Sequence, residues 1–417
     1  MAIQAVRGMK DLLPPEAPKW RFIEATAREV FGSFGFSEIR TPILERTELF
    51  ARSIGEETDI VSKEMYTFED RSGDSLTMRP EATAGVVRAF LENKLYAVPG
   101  PHKLCTIGPM FRHERPQKGR LRQFHQLDCE ILDDAGPQVD AELLVMAAHL
   151  LERLGVRQVT LVLNSLGCPE CRPVFKQQLQ DYFAGRQGGL CEDCRRRLAT
   201  NPLRVLDCKQ EGCKEISLGA PLISGSWCES CGEHFDQVKR LLTQSGVTFE
   251  TDPKLVRGLD YYTRTAFEFK TTQLGAQDAV GGGGRYDGLI EALGGPATPA
   301  IGFALGVERL ALLLEDRPEW QQGPRLFIAA LGDEPRDWAF GAAQQLRRAG
   351  IWVEMSAQAT SLKAQMRRAN KLGASQVLIV GGEELMAGIA PLKDMANGEQ
   401  EDLPLDQIVD RLKAAGA

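Results

Sequence analysis

The segment GPMFRHERPQKGRLRQFHQLDCE, residues 108–130, decides how the rest of the chain is read. Arg112, Arg115, Lys118, Arg120 and Arg122 crowd together there, with Glu114 the one acid among them. Pro116 and Gly119 interrupt the middle, so the segment reads as strand, basic loop, strand, a long β-hairpin. On the returning strand alternate side chains share a face, which groups Phe124, Gln126, Asp128 and Glu130. Amide and carboxylates on a strand that also carries Phe124 and Leu127 suggest the lining of a pocket. Arg112 ends the incoming strand at the same side, where its planar fork suits a phosphate. A solvated hairpin with a basic tip fits the local pattern as well, so the rest of the chain must decide.

Composition bounds the choice. With 417 residues the chain can hold two or three domains, and 43% apolar with 26% charged residues is ordinary for a soluble globular protein. A net charge of −7 speaks against coating nucleic acid by bulk electrostatics, while leaving room for a local basic footprint. The opening MAIQAVRGMKDLLPPE lacks the apolar core of a signal peptide. The longest apolar run, about Leu143–Leu151, is too short to span a bilayer. A cytoplasmic location is the expectation.

Eight of the ten cysteines form close pairs: Cys168/Cys171, Cys191/Cys194, Cys208/Cys213 and Cys228/Cys231. A tight turn between two thiolates lets both reach one tetrahedral ion, and without an export signal metal ligation is favoured over disulfides. Structural zinc here stands against reduced thiols in a segment that needs no metal. Four thiolates around an ion would leave no open position for catalysis.

Working outward, Pro14 and Glu16 open a helix whose apolar face carries Trp20, Ile23, Ala27, Val30 and Phe31. FSEIRTPILERTELF has strand character up to Pro42. MYTFEDRSGDSLTMRPEATAGVVRAFLEN reads as strand, turn, strand and a helix opening near Glu81, where Glu81 alone would be a capping acid. Helix Ala141–Leu154 and strand VTLVLNSLG lead into a cysteine-rich segment, about 167–235, whose composition departs from its neighbours. A strand in VRGLDYYTRTAFEFKTT has Arg257, Asp260, Tyr261 and Tyr262 at its mouth. Consecutive glycines at Gly281–Gly284 allow a ligand or neighbouring backbone to approach closely, although taken alone they read rather as a flexible loop, and they match neither a dinucleotide fingerprint nor a Walker loop. AIGFALGVERLALLL is a strand turning into a buried helix, and Arg309 there needs an internal carboxylate or a ligand phosphate. After a linker at 317–324, the pattern β-α-β-α-β predicts a three-layer α/β domain with a mixed or parallel sheet. Its helices carry Arg347, Arg348, Lys363, Arg367, Arg368 and Lys371, which form either solvated faces or a nucleic-acid surface.

These pieces resemble the class II aminoacyl-tRNA synthetases and, within them, the bacterial-type histidyl-tRNA synthetase family. FSEIRTPILE resembles motif 1, FRHERPQKGRLRQFHQLDCE motif 2 and GFALGVERLALLL motif 3. VRGLDYYTRTAFEF, MRPEAT and GGGGRYDGL resemble the histidine-specific signatures, and the likeness covers essentially the whole chain. Ala82 departs from the glycine often found after RPE.

The resemblance implies a catalytic domain over 1–322, with the cysteine-rich insertion at about 167–235, and an anticodon-binding α/β domain over 325–417. The catalytic sheet is expected to be mainly antiparallel, with six or seven strands flanked by helices, in a homodimer joined partly through motif 1. It implies ligation of L-histidine to tRNA with ATP and Mg²⁺, through a histidyl-adenylate. Glu81, Thr83 and Gln126 would hold the substrate ammonium, Glu130 and Tyr262 the imidazole, and Tyr286 would close the pocket beside Tyr261. Arg112 and Arg257 would be catalytic at the α-phosphate, with Glu114, Arg120 and Arg309 completing the ATP site. The loop 115–122 would meet the tRNA acceptor end. Three rivals are a catalytically dead regulatory relative, a class II enzyme for another amino acid, and a zinc-ribbon nucleic-acid module. The first would have lost the RGLDYY residues and the tail, the second lacks the Glu130/Tyr262 pair, and the third leaves the arginines and glycines without a purpose.

Overall fold

The computed structural model describes residues 3–14, 16–55, 58, 60–257, 261–275, 278–321 and 323–414. Asp260 and the domain limit expected at residue 322 lie outside these described residues. The chain divides into two compact units, Met1–Glu315 and Asp316–Ala417.

The strands of the first unit are β1 Ser37–Glu38, β2 Leu44–Arg46, β3 Tyr66–Glu69, β4 Ser75–Met78, β5 His102–Phe111, β6 Gln123–Leu132, β7 Thr160–Ser165, β8 Phe249–Thr251, β9 Thr263–Lys270, β10 Ala279–Arg285 and β11 Ala300–Gly306. Eight of them form one sheet in the order β1-β5-β6-β11-β10-β9-β7-β8, while β2-β4-β3 form a small second sheet. The expected six or seven antiparallel strands are therefore eight. The inner six pair antiparallel, and the short edge strands β1 and β8 add parallel pairings. Motif 2 is the expected hairpin: β5 and β6 pair from His102↔Leu132 to Phe111↔Gln123 around the loop 112–122. Gly119 has a φ of +73°, the left-handed turn that a side chain resists.

Two local expectations are corrected. The tetraglycine is no loop but the middle of β10, hydrogen-bonded on both sides. Beyond the strand expected up to Pro42, residues TELF open the helix Thr47–Ile54, in which Phe50 and Ile54 recur at helical spacing and are fully buried. The cysteine-rich segment is helical and continues past 235 into the helix Glu229–Gln244. It also shares its core with the sheet: Phe175, Leu179, Val205 and Cys213 pack in one cluster with Phe90, Tyr262 and Tyr286.

A buried polar knot ties this unit together. Asp140, on the helix Pro137–Leu154, accepts from Arg285 Nε at 3.1 Å, Thr265 Oγ1 at 2.5 Å and His234 Nε2 at 2.8 Å. Both Asp140 and Arg285 are fully buried. Burial pushes the Asp140 carboxyl up, but His234 and Arg285 outweigh it and hold the group below its ordinary value. Removing one partner of such a pair leaves an uncompensated charge, so Asp140→Ala is expected to lower the unfolding free energy by about 3–5 kcal/mol. Urea denaturation measures it, and a loss within experimental error would contradict the reading.

In the second unit the strands are β12 Leu326–Ala330, β13 Val353–Met355, β14 Gln376–Val380, β15 Ile389–Asp394 and β16 Gln400–Pro404, ordered β13-β12-β14-β15-β16. β13, β12 and β14 are parallel, and the last two strands add antiparallel pairs. Leu326 and Ile328 face the helix Asp333–Arg348, while Phe327 and Ala329 face Leu362–Lys371, giving the expected three layers with a mixed sheet. The first helix carries Pro335 in its first turn, where a missing N–H costs nothing. Of the basic residues, Arg347 donates to Val353 O at 2.8 Å, and Arg348, Lys363, Arg367, Arg368 and Lys371 are exposed.

Candidate active site

A cavity of about 800 Å³ opens over the inner strands of the large sheet. Its floor is a ladder of rungs set by the pairing. Glu130 lies opposite Gly302, which pairs with Gly284; Asp128 lies opposite Ala304, which pairs with Gly282; Gln126 lies opposite Gly306. With a period of two, all these positions face one way, so polar β6 side chains stand beside strands with almost no side chains. That absence is required. A Cβ on Gly302 would overlap Glu130 Oε2, one on Gly282 would lie 2.8 Å from Arg257 Nη1, and one on Gly284 2.9 Å from Tyr262 Cδ1. The glycines let a carboxylate, a guanidinium and a phenol lie flat across the sheet.

At the deep end Glu130 is 2% exposed. Thr83 Oγ1 donates to its Oε1 at 2.6 Å and the Tyr286 hydroxyl donates to Oε2. Tyr286 is thus not a cover for the pocket but part of its buried base, with its ring edge-on to Tyr261 at 5.5 Å. Glu81 does cap the helix Thr83–Glu92, accepting from Thr83 N at 2.8 Å and Ala84 N at 2.9 Å, and it also lines the cavity. Capping and lining are not alternatives here.

At the hairpin end stand the guanidinium groups. Arg112 donates from Nε to Pro80 O at 2.8 Å and lies over the Phe124 ring at 5.2 Å. Arg120 pairs with Glu114 at 2.5 Å. Arg309 rests on two backbone carbonyls. It donates from Nε to Gly119 O at 3.2 Å and from Nη1 to Ala279 O. Arg257, between the two ends, pairs with Glu268 at 2.5 Å and lies over the Tyr262 ring at 5.6 Å. All the residues expected at the site line this cavity except Glu130, which lies just under its surface. Asp128 and Glu268 also line it without having been singled out. Alternation along β6 pointed to Asp128. Asp207, Lys209 and Lys214 arrive from the cysteine-rich segment by long-range packing, for which no local pattern exists.

Burial governs the acids. It pushes Glu130 to about 8, with the Thr83 and Tyr286 hydrogen bonds opposing, and raises Glu81 and Asp128 as well. On unfolding Glu130 returns toward 4.5, so between about 4.5 and 8 the folded state holds a proton that the unfolded chain has lost. Stability of the ligand-free protein is expected to fall as pH rises through that window. Glu130→Gln should flatten the slope in urea titrations across it. An unchanged slope in the variant would contradict the assignment.

The cysteines gather into two tetrads among the described residues: Cys168, Cys171, Cys228 and Cys231, and Cys191, Cys194, Cys208 and Cys213, each with all sulfurs within 4.8 Å. The first pair joins the fourth and the second joins the third. Sγ–Sγ distances of 3.6 Å (Cys168–Cys171), 3.8 Å (Cys171–Cys231) and 3.9 Å (Cys191–Cys208) match the edge of about 3.8 Å in a tetrahedron with zinc–sulfur bonds of ~2.3 Å. Cys228 N donates to Cys171 Sγ at 3.0 Å and Cys191 N to Cys213 Sγ at 3.1 Å, contacts that suit thiolates.

The histidyl-tRNA synthetase family model matches residues 8–170 and 222–310, and an anticodon binding domain matches 325–415. The histidine–tRNA ligase of Trichlorobacter lovleyi is 55% identical over 406 residues, covering 97% of each chain. The apo histidyl-tRNA synthetase of S. aureus superposes with a TM-score of 0.85 at 37% identity, covering 99% of this chain and 100% of that one. An ATP phosphoribosyltransferase regulatory subunit/histidyl-tRNA synthetase from Bacillus halodurans, at 21% identity and TM-score 0.67 over 92% of this chain and 99% of its own, shares the fold. Family match, identity and cavity agree: the chain belongs to the histidyl-tRNA synthetase family.

Proposed function

We propose that this cavity joins L-histidine to ATP and passes the histidyl group to tRNA, as the names of the relatives suggest. The observation that carries the reading is the division of charge along the sheet. Carboxyl groups raised by burial (Asp128 and Glu130 on β6, and Glu81 at the start of the helix Thr83–Glu92) lie at the deep end, and Arg112, Arg120 and Arg309 gather at the hairpin end. A cationic amino acid fits the first and a polyphosphate the second.

Glu81, Thr83 and Gln126 take the substrate ammonium; the Gln126 Oε1 is buried and has no partner among the described residues. Glu130 exchanges one of its present hydroxyl partners for an imidazole nitrogen, Tyr262 faces the other nitrogen, and Tyr261 and Tyr286 pack beside the ring. The histidine carboxylate attacks the α-phosphorus and expels pyrophosphate, leaving histidyl-adenylate. Arg112 and Arg257 bind the oxygens on which charge grows. Arg309 holds the distal phosphates, Glu114 and Arg120 border the ATP site, and Mg²⁺ arriving with ATP neutralises the phosphate chain. A ribose hydroxyl of the tRNA end then takes the histidyl group.

Residues 1–322 are the catalytic domain, with an insertion at about 167–235, and 325–417 the anticodon-binding domain. Residues 171–221 fall between the two stretches matched by the family model, which supports the insertion. Exposed Ile43, just before the small sheet, and Leu44 and Phe68 within it support a homodimer built partly through motif 1. Both cysteine tetrads fit structural Zn²⁺, the ligand set being complete without water. No helix among the described residues is long and apolar enough to cross a membrane, and the site of action is the cytoplasm.

Charging of unfractionated tRNA with labelled histidine tests this function. Histidyl-tRNA should form only with ATP present. Charging at sub-saturating tRNA should fall steeply with salt, because the exposed Arg115 and Lys118 would meet phosphates, while the adenylation step changes little. No charging under any condition would overturn it.

A further inference from the structure

We infer that the two cysteine tetrads are zinc sites whose task is to set the backbone of Arg257 and Tyr262. The zinc and adenylation readings above are its basis, and it adds a route from metal to active cavity. The route starts one residue from a cysteine in one tetrad and four from a cysteine in the other.

Arg172, directly after Cys171, donates from Nη1 to Tyr262 O at 2.9 Å. Arg204, four residues before Cys208, donates from Nη1 to Arg257 O at 3.2 Å. Two guanidinium groups from the cysteine-rich segment thus hold the carbonyls of the two residues that lie flat across Gly282 and Gly284. Asp207, Lys209 and Lys214, each beside Cys208 or Cys213, line the same cavity. Beneath them Cys194, Leu198, Val205 and Cys213 share a core with Tyr262 and Tyr286.

The segment cannot keep this geometry by its helices alone. Glu192–Thr200 and Glu211–Ser217 are two turns or so each, well short of the length at which a helix is stable without packing. The nested pairing supplies the missing constraint. The outer tetrad closes the ends of the segment and fixes the start of the helix Cys171–Ala184, and with it Arg172. The inner tetrad fixes the turn Pro202–Val205, and with it Arg204. A shift of about 1 Å at a reacting centre can cost ~10²-fold in rate, so a modest loosening here would reach catalysis.

The test combines zinc content per chain, thermal melting and histidine-dependent ATP–pyrophosphate exchange on full-length Arg172→Met, Arg204→Met, Cys208→Ser and Cys208→Ser/Arg204→Met. The unsubstituted protein should carry two zinc ions. Each arginine variant should keep both and melt normally, yet lose about 10-fold or more in kcat with a raised histidine KM. Arg204→Lys should recover part of that loss. Cys208→Ser should lose one zinc and show a similar kinetic defect, and the double variant should be no worse than the poorer single one. Less than one zinc per chain, zinc loss with unchanged kinetics, or multiplying defects would overturn the proposal. Should Cys208→Ser not fold, wild-type kinetics in both arginine variants would overturn it alone. Failure of the unsubstituted protein to exchange with histidine would instead count against the adenylation reading, and its zinc content would still decide the metal claim.

Discussion

Arg257→Met is expected to slow histidine-dependent ATP–pyrophosphate exchange by about 10²- to 10³-fold while leaving the fold intact. Charge grows on the α-phosphate oxygens as the histidine carboxylate attacks, and a fixed cation in a site shielded from water stabilises that charge without reorganising. Arg257 suits this work because its Nε is buried without a partner among the described residues, while Nη1 is anchored on Glu268. The substitution does not strand Glu268, which keeps Lys270 Nζ at 3.4 Å. Pre-steady-state exchange under saturating ATP and histidine separates a loss in the chemical step from weaker binding. A fall of less than about 10-fold would remove Arg257 from the transition state.

The second large effect belongs to recognition. Glu130→Ala should reduce kcat/KM for histidine by about 10³-fold or more, with the KM for ATP little changed. A pocket built to hydrogen-bond a polar ring discriminates strongly because its own polar groups stay unpaired when the contact is missing. Here the substitution also deprives Thr83 Oγ1 and the Tyr286 hydroxyl of their acceptor, so the base of the pocket loosens with it. Steady-state kinetics with each substrate varied checks the asymmetry. Equal losses for histidine and ATP would mean a general collapse, and no loss would place the imidazole elsewhere.

Much of this was legible in the residues, and where it was not the reason is physical. The hairpin showed itself by a basic loop between alternating strands, and the alternation already placed Gln126, Asp128 and Glu130 on one face. The tetraglycine reads locally as a loop because glycine carries no strand propensity, while the close approach that glycines allow is what the structure uses. The run lies in β10 because β9 and β11 pair with it and because Arg257 and Tyr262 need the bare surface, which are both long-range facts. The carbonyls of Gly119 and Ala279 that steady Arg309 leave no mark in a sequence, which points only to a carboxylate or a phosphate. The cysteine spacing showed pairs, but their nesting depends on how the intervening helices fold back. Lys209 and Lys214 reach the cavity by that same folding.

The central claim is that the cavity activates histidine. ATP–pyrophosphate exchange with each of the twenty amino acids, without tRNA, tests it most directly. The account predicts exchange with histidine alone. Exchange driven by a different amino acid, or none at all from a folded, ATP-binding protein, would contradict it.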